Sequence, residues 1–210
     1  MREISKKLKE HYRDCFSEHG PTSKGVDWGD KDWAADVRQY KMLEVVQQQR
    51  TTSISMLDVG CGYGSLADII SKENLNIEYT GIDIVSEMIN YAKKRHSTSQ
   101  FLYGDIFNLN ECKYDYVVCN GVITQKLDSS TLLMNRYAQD LIKKMFDLCR
   151  VGIAFNIMNT HVTFQKDNLY YRNPAEMLGW CMSELTPRVK LDCAYELWYE
   201  YTVYLYKETG

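Results

Sequence analysis

The sequence has no apolar run long enough to cross a membrane, and its first ten residues carry too many charges for the apolar core of a signal peptide. We therefore expect a cytoplasmic protein without a membrane segment. Internal repeats and low-complexity tracts are also absent from the 210 residues. This length is ample for one hydrophobic core and short for two domains. A single folded domain is the expectation.

An excess of basic residues is lacking as well. Lys and Arg together number 25 against 28 Asp and Glu, which gives a formal net charge of −3 and a pI near 5.8. No overall positive field would draw such a chain to phosphate backbones. The charge balance therefore disfavours nucleic acid as a partner.

Paired cysteines are the third absence. The seven cysteines are scattered, with no C-x-x-C pair and no spacing typical of metal ligands. Such a set is typical of reduced thiols in the cytoplasm. We expect neither a disulfide framework nor a bound metal.

What the sequence does contain is a glycine-rich turn between a strand and a helix. Ile54–Val59 reads as a short apolar strand, and Leu66–Ile70 opens a helical pattern. The glycines at 60, 62 and 64 remove three Cβ atoms from the turn between them. Backbone N–H groups at a helix N-terminus can then approach a ligand closely.

The details of this turn argue against nucleotide phosphates. A dinucleotide fingerprint needs Gly or Ala where Ser65 stands, and a P-loop needs a Gly-Lys-Ser/Thr run that is missing. Asp58 lies two residues before Gly60, at the strand tip. A carboxylate there would repel pyrophosphate and attract a cation. The turn therefore favours a ligand with a positively charged group.

Three further stretches follow at regular intervals. Asp83 ends the apolar stretch IEYTGID, 23 residues after Gly60, and Asp105 lies in FLYGDI, 22 residues later. Tyr114–Gly121 then reads as another strand and its tip. In this order, the four stretches resemble the motifs of class I S-adenosylmethionine (SAM) dependent methyltransferases. The resemblance covers residues 52–158 well and the ends loosely.

The resemblance implies a role for each motif. The glycine turn and Asp58 would hold the methionine moiety. Asp83 would bind the ribose hydroxyls and Asp105 the adenine amine. Ile84 and Ile106 would flank the adenine. Asn120 would face the transferred methyl. Some small-molecule methyltransferases also carry an upstream Trp and an Arg that pairs with the SAM carboxylate; a surface arginine is the alternative here. The implied cofactor-binding residues are Trp28, Arg38, Asp58, Gly60, Cys61, Gly62, Gly64, Asp83, Ile84, Asp105, Ile106 and Asn120.

The fold expected is a three-layer α/β/α domain with a seven-stranded, mostly parallel sheet, an antiparallel C-terminal hairpin and an N-terminal helical lid. We assign residues 1–50 to the lid and 51–210 to the methyltransferase domain. The predicted strands are 54–59, 78–83, 100–103, 114–119, 151–158, 188–192 and 196–207. The predicted helices are 3–17, 30–49 with Asp30 as N-cap, 65–72, 86–96, 131–149 and 174–185.

The acceptor is less visible than the cofactor. The segment 159–172 follows a strand end, where open α/β sheets bind ligands, and its mixture of hydroxyls, amides, aromatics and charges fits a polar metabolite or a sugar. A hydroxyl acceptor benefits from a general base, and His19 and His161 lie where the family places substrate. Several nucleic-acid and protein amine methyltransferases carry Asn or Asp followed by Pro-Pro-Tyr/Phe at this position. Here Asn120 is followed by Gly-Val-Ile, which disfavours methylation of a base or amide nitrogen. The substrate-binding residues that we predict are Thr124, Tyr170, Tyr171 and Arg172.

The predicted activity is in-line transfer of a methyl group from SAM to an O or N atom of a polar small molecule or sugar, leaving S-adenosylhomocysteine (SAH). Three alternatives stay open at this point. A non-catalytic SAM-binding partner or sensor subunit would keep the same motifs. A nucleic-acid or protein methyltransferase is the second alternative, and a nucleotide-dependent oxidoreductase the third. Oligomeric state does not follow from the sequence.

Overall fold

A computed structural model describes residues 2–46, 53–110 and 114–208. Within them, one mixed sheet has the strand order β3-β2-β1-β4-β5-β8-β7, with β6 beside β5. The strands are β1 Ile54–Val59, β2 Ile77–Asp83, β3 Gln100–Tyr103, β4 Tyr114–Cys119, β5 Cys149–Asn159, β6 Tyr171–Arg172, β7 Val189–Asp192 and β8 Glu200–Tyr206. The helices are α1 Arg2–His19, α2 Asp32–Leu43, α3 Ser65–Lys72, α4 Ser86–Arg95, α5 Thr131–Leu148 and α6 Pro174–Glu184.

The direction of the strands confirms the predicted fold class. Strands β1 to β4 are parallel to their neighbours, and β5 is parallel to β4 and β6. Strand β8 is antiparallel to both β5 and β7. The unpredicted strand is β6, which has two residues and pairs with the end of β5 through Met158 and Asn159. Two residues are too few to show an alternating pattern, so the sequence carried no signal for it.

Both faces of the sheet are covered, which explains why most residues of its central strands are buried. One core cluster joins α1, α5 and α6 to one face, and another joins α2, α3 and α4 to the other. The last strand divides as its alternation predicts. Tyr201, Val203 and Leu205 belong to the first cluster, and Tyr204 and Tyr206 to the second.

Several predicted boundaries were wrong. Helix α2 is N-capped by Lys31 without a side-chain cap hydrogen bond, and not by Asp30, whose carboxylate lies 2.9 Å from the Lys24 ammonium. The helix ends at Leu43, and residues 47–49 of its predicted span lie outside the described residues. Strand β5 starts at Cys149 with no loop after α5, and residues 193–199 connect β7 to β8.

No helix in the described part of the chain is long and apolar enough to span a membrane.

Candidate functional site

The first cavity opens at the carboxyl ends of β1, β2 and β4. Its volume is about 850 Å³ including the open mouth. Asp58, Asp83 and Asp105, which are far apart in the sequence, all line it. Its other lining residues are Leu8, Tyr12, Val26, Trp28, Gln39, Val59, Gly60, Cys61, Gly62, Ser65, Ile84, Gly104, Ile106, Asn120, Gly121, Val122, Tyr137 and Leu141.

Asp83 fixes the glycine turn against the neighbouring strand. One of its carboxylate oxygens accepts a hydrogen bond from the backbone N–H of Gly62 at 2.9 Å, and the other accepts from Val85 N–H at 2.8 Å. Burial raises the pKa of Asp83, and these N–H donors oppose the rise. The carboxylate therefore holds the turn in place and still borders the cavity.

Asp58 is the most strongly perturbed acid of this cavity. Burial raises its pKa to about 7, although the Tyr79 hydroxyl donates a hydrogen bond to it at 2.7 Å and opposes the rise. A cation placed beside Asp58 would favour its ionised form. Near neutral pH, its charge therefore depends on what occupies the cavity.

The glycine turn has the left-handed backbone that glycine permits. Gly60 has φ +72°, and a Cβ there would collide with the Val122 side chain. Gly64 has φ +90° and precedes α3, where a Cβ would lie 3.1 Å from the ring of His96. Gly60 and Gly62 border the cavity, whereas Gly64 is absent from its lining. In this structure Gly64 packs against His96, and its contact with the cofactor stays a prediction.

Buried polar atoms without partners indicate that a ligand belongs in the first cavity. Both amide atoms of Asn120 are buried and unpartnered. Gln39 Oε1 is likewise unpartnered, while its Nε2 donates to Ser65 Oγ at 2.7 Å. Such atoms cost free energy unless a ligand or water satisfies them.

The residues present fit SAM. Carboxylates suit its ammonium and sulfonium charges, and the unpartnered amides suit its polar edges. Asp58, Asp83, Asp105 and Asn120 are the side chains of this chain that would hold it. Bound there, SAM would supply a methyl group that its positive sulfur has already activated.

A second cavity, of about 1100 Å³ with its open mouth, adjoins the first. Tyr12, Trp28 and Gly121 line both. Gly121 has φ +83°, and a Cβ there would lie 2.7 Å from Trp28 Nε1, so the indole packs directly on the bare backbone. The other residues of the second cavity are Asp27, Gly29, Arg38, Thr124, Gln125, Asn156, Met158, Val162, Phe164, Lys166, Leu169, Tyr171, Trp198, Tyr199 and Glu200.

A family model described as a methyltransferase domain matches residues 50–203, which is most of the chain. The chain belongs to this family. It is a class I SAM-dependent methyltransferase, and four ordered motifs in its sequence are those of that class.

Curated relatives agree with this assignment. A Mycobacterium tuberculosis methyltransferase is 28% identical over 158 residues, covering 73% of this chain and 93% of the relative. The ubiquinone biosynthesis O-methyltransferase of Actinobacillus pleuropneumoniae is 26% identical over 171 residues, covering 66% of this chain and 69% of the relative.

Solved structures share the fold at low identity. Magnesium protoporphyrin IX methyltransferase from Synechocystis, with bound SAH, superposes with a TM-score of 0.69 at 16% identity, covering 95% of this chain and all of that one. The plantazolicin methyltransferase in complex with SAH gives 0.62 at 16% identity, covering 99% of each chain. These likenesses establish the Rossmann-like fold of the methyltransferase.

Arg38 does not lie where the resemblance placed it. It lines the second cavity rather than the first, and its Nε lies 3.0 and 3.2 Å from the two carboxylate oxygens of Glu200. Its Nη2 donates to the Tyr199 hydroxyl at 3.3 Å, and its guanidinium lies 5.5 Å from the Trp28 ring centroid. Burial raises the pKa of Glu200, and Arg38 opposes the rise. In this structure Arg38 forms a buried ion pair within the methyltransferase, and its pairing with the SAM carboxylate stays a prediction.

The predicted substrate residues separate into two groups. Thr124 and Tyr171 line the second cavity. Tyr170 is buried in the core with its hydroxyl 2.5 Å from Asn135 Oδ1, and Arg172 lies near Asn135 too, so neither borders either cavity. Tyr170 and Tyr171 point to opposite sides because they are neighbours in an extended segment. The predicted wall 159–172 contributes Val162, Phe164, Lys166, Leu169 and Tyr171 to the second cavity.

The two predicted catalytic histidines line neither cavity. His19 is exposed at the end of α1, and His161 is exposed on the loop after β5. A different histidine lies behind the second cavity: His11 Nε2 is 2.9 Å from Asp27 Oδ2. The sequence did not indicate that Gln39 and Asp27 line the cavities or that His11 contacts Asp27, because no motif marks these residues.

Among the residues described, no group of three or more His, Cys, Asp or Glu side chains is arranged to hold a metal ion. That a metal is dispensable for this methyltransferase stays a prediction.

Proposed function

We propose that the methyltransferase transfers the methyl group to an oxygen or nitrogen atom of a polar small molecule or sugar that occupies the second cavity. The observation that carries this proposal is the shared boundary of the two cavities. Because Tyr12, Trp28 and Gly121 line both, a molecule in the second cavity would lie next to the SAM site. In-line displacement needs that adjacency.

The lining of the second cavity supports a polar acceptor. It combines a buried ion pair, amides and a hydroxyl with aromatic side chains, as small-molecule sites commonly do. The names of the related ubiquinone biosynthesis and magnesium protoporphyrin IX enzymes also point to small molecules, and we extend that feature to this chain.

The protein would contribute alignment and exclusion of water, since the methyl donor is already activated. Leu8 and Tyr12 from α1 cover the first cavity from one side, and Trp28 covers the boundary. Asp58 and Asp83, near the carboxyl ends of β1 and β2, would orient the cofactor from the opposite side of the cavity. None of these residues needs to react.

A variant that fills the second cavity tests the proposal. We would incubate the protein with methyl-labelled SAM and a small-molecule extract, and measure SAH affinity by calorimetry. Val162→Trp should leave the SAH affinity unchanged and reduce label transfer by about a hundredfold, because a bulky ring at the wall displaces the acceptor. Val162→Ala is the matched control and should retain transfer.

Two results would contradict the proposal. Equal transfer by wild type and Val162→Trp would mean that the acceptor binds elsewhere. Tight SAH binding without transfer to any component of the extract would favour the non-catalytic partner or sensor subunit.

A further inference from the structure

The charges that line the second cavity balance. Asp27 and Glu200 are acidic, and Arg38 and Lys166 are basic. Arg38 and Glu200 pair at 3.0 Å with both side chains almost fully buried. A carboxylate or phosphate approaching Arg38 would therefore also meet the carboxylate of Glu200, and an ammonium would meet Arg38. The floor of this cavity favours an uncharged ligand.

Two hydrogen-bonding groups of the cavity have unused capacity. Arg38 Nη1 is buried without a partner. Asp27 accepts from His11 and Gln125 through Oδ2, at 2.9 and 2.5 Å, and Oδ1 accepts no hydrogen bond from any described residue. One free donor and one free acceptor suit a pair of hydroxyls, because each hydroxyl both donates and accepts.

Asp27 is held firmly in this position. Its backbone is left-handed, with φ +56°, and ends the short 3-10 turn Lys24–Val26; Asp adopts this conformation more readily than most residues. Gln125, which donates to Asp27, itself accepts from Asn168 Nδ2 at 3.1 Å. The carboxylate is thus fixed by α1, by the loop after β4 and by the wall segment.

Aromatic side chains supply the remaining surface. Six of them line the cavity, and two of these are unusually exposed for their size: Phe164 at 69% and Trp198 at 54%. Exposed apolar surface beside a cavity is typical of ligand-binding sites. The negative face of an aromatic ring attracts the slightly positive C–H groups on the face of a sugar ring. A lipid chain would instead leave the buried Arg38 Nη1 without a hydrogen-bond partner.

We infer that the acceptor is an uncharged, hydroxyl-rich ring of the sugar type, bound at its edge by Asp27 and Arg38 and on its face by aromatic side chains. The inference rests on the proposed function and narrows it to methylation of a hydroxyl oxygen. In that step the oxygen bonds to the methyl carbon as the carbon–sulfur bond breaks, its electron pair stays on sulfur, and the hydroxyl proton passes to Asp27 Oδ1.

Saturation-transfer NMR tests the binding without turnover. The probes are the methyl glycosides of glucose, mannose and rhamnose, each added to SAH-loaded protein, with benzoate and phenethylamine as charged aromatic comparators. We expect saturation of the ring protons of at least one glycoside and none of the comparators. Asp27→Asn keeps a side chain suited to the left-handed backbone and should weaken glycoside binding by about tenfold or more. Asp14→Asn, which alters an exposed carboxylate outside both cavities, is the matched control.

Several outcomes would overturn the inference. Saturation of benzoate or phenethylamine in preference to the glycosides is one, and no saturation of any glycoside is another. Equal binding by Asp27→Asn and Asp14→Asn, with SAH affinity intact in both, would remove Asp27 from the site. A methyl ester or an N-methyl product in the extract assay would also overturn the inference, while leaving the proposed function standing. An alkali-stable methyl ether as product would support the inference.

Discussion

Asp58 shows at the scale of one residue how burial couples protonation to binding. Its pKa of about 7 is well above the ordinary value near 3.9 that holds in an unfolded chain. Between about pH 4 and 7 the folded protein therefore binds more protons at this site than the unfolded chain does. The free energy of unfolding consequently falls as the pH rises through this window, and the cost of burying the charge is complete above pH 7.

Replacing Asp58 by Asn should remove this contribution. We expect the free energy of unfolding of Asp58→Asn to fall less between about pH 4 and 7 than that of wild type, because Asn does not ionise. Urea titrations across that range measure the difference. Asp14→Asn should keep the wild-type slope, and an Asp58→Asn slope equal to it would contradict the assignment.

The same substitution should weaken SAM binding by about tenfold or more, because the carboxylate would no longer meet a cationic ligand.

The three acids of the first cavity could be predicted because each lies at or just after the carboxyl end of a strand, in a local sequence pattern. Parallel strands then bring Asp58, Asp83 and Asp105 to one edge. The partners in the second cavity could not be predicted in that way. Arg38 and Glu200 are 162 residues apart, and their pairing depends on how α2 packs against β8. No local pattern carries that information.

At the scale of elements, α1 joins the N-terminal segment to the first cavity. Its Ile4 and Leu8 are buried in the core, and Leu8 also borders the cavity. Lys7 pairs with Asp128 at 2.9 Å across an exposed surface, where such a pair adds little stability. Apolar packing rather than charge therefore holds the helix in place. Its behaviour as a lid over the cofactor stays a prediction.

Hydrogen exchange of backbone amides tests whether α1 acts as a lid over the cofactor. We expect bound SAH to slow the exchange of backbone amides in α1 by about tenfold or more, because a ligand in the first cavity would rest against Leu8 and Tyr12. Amides of α6, which lines neither cavity, should slow less and serve as the internal control. Equal slowing of α1 and α6 would mean that α1 does not act as a lid.

The elements that could be predicted best are those with long periodic patterns. Helix α5 was predicted to within one residue at its C-terminus because a stripe of apolar residues runs along it and Ser130 caps it, accepting from Leu133 N–H. The ends of α2 and β8 were placed less well. There, α2 begins without a side-chain cap to mark its start, and the aromatic connection after Asp192 resembles in composition the strand that follows it.

At the scale of the whole molecule, strand order places both cavities. From β1 the chain moves outward through β2 to β3, then returns to the other side of β1 with β4. Open α/β sheets bind ligands at such a reversal, outside the carboxyl ends of the strands. The first cavity lies there, and the antiparallel β8 supplies Glu200 to the second.

Ligand-dependent melting distinguishes this site from that of a nucleotide-dependent oxidoreductase. SAH at a hundred times its Kd should stabilise the protein by about 2.7 kcal/mol and raise its Tm accordingly. NAD should leave the Tm unchanged, because Asp58 repels pyrophosphate and Ser65 replaces the third fingerprint glycine. Stabilisation by NAD and not by SAH would reverse this expectation.

The contact between Trp28 and Gly121 has a consequence for the shape of both cavities. The indole lies against position 121 because no side chain is present there, and it forms part of the boundary of both cavities. Even a methyl group at this position would collide with the indole and displace it. Any substitution of Gly121 therefore reshapes the boundary between the cavities, while every polar group that lines them stays chemically unchanged.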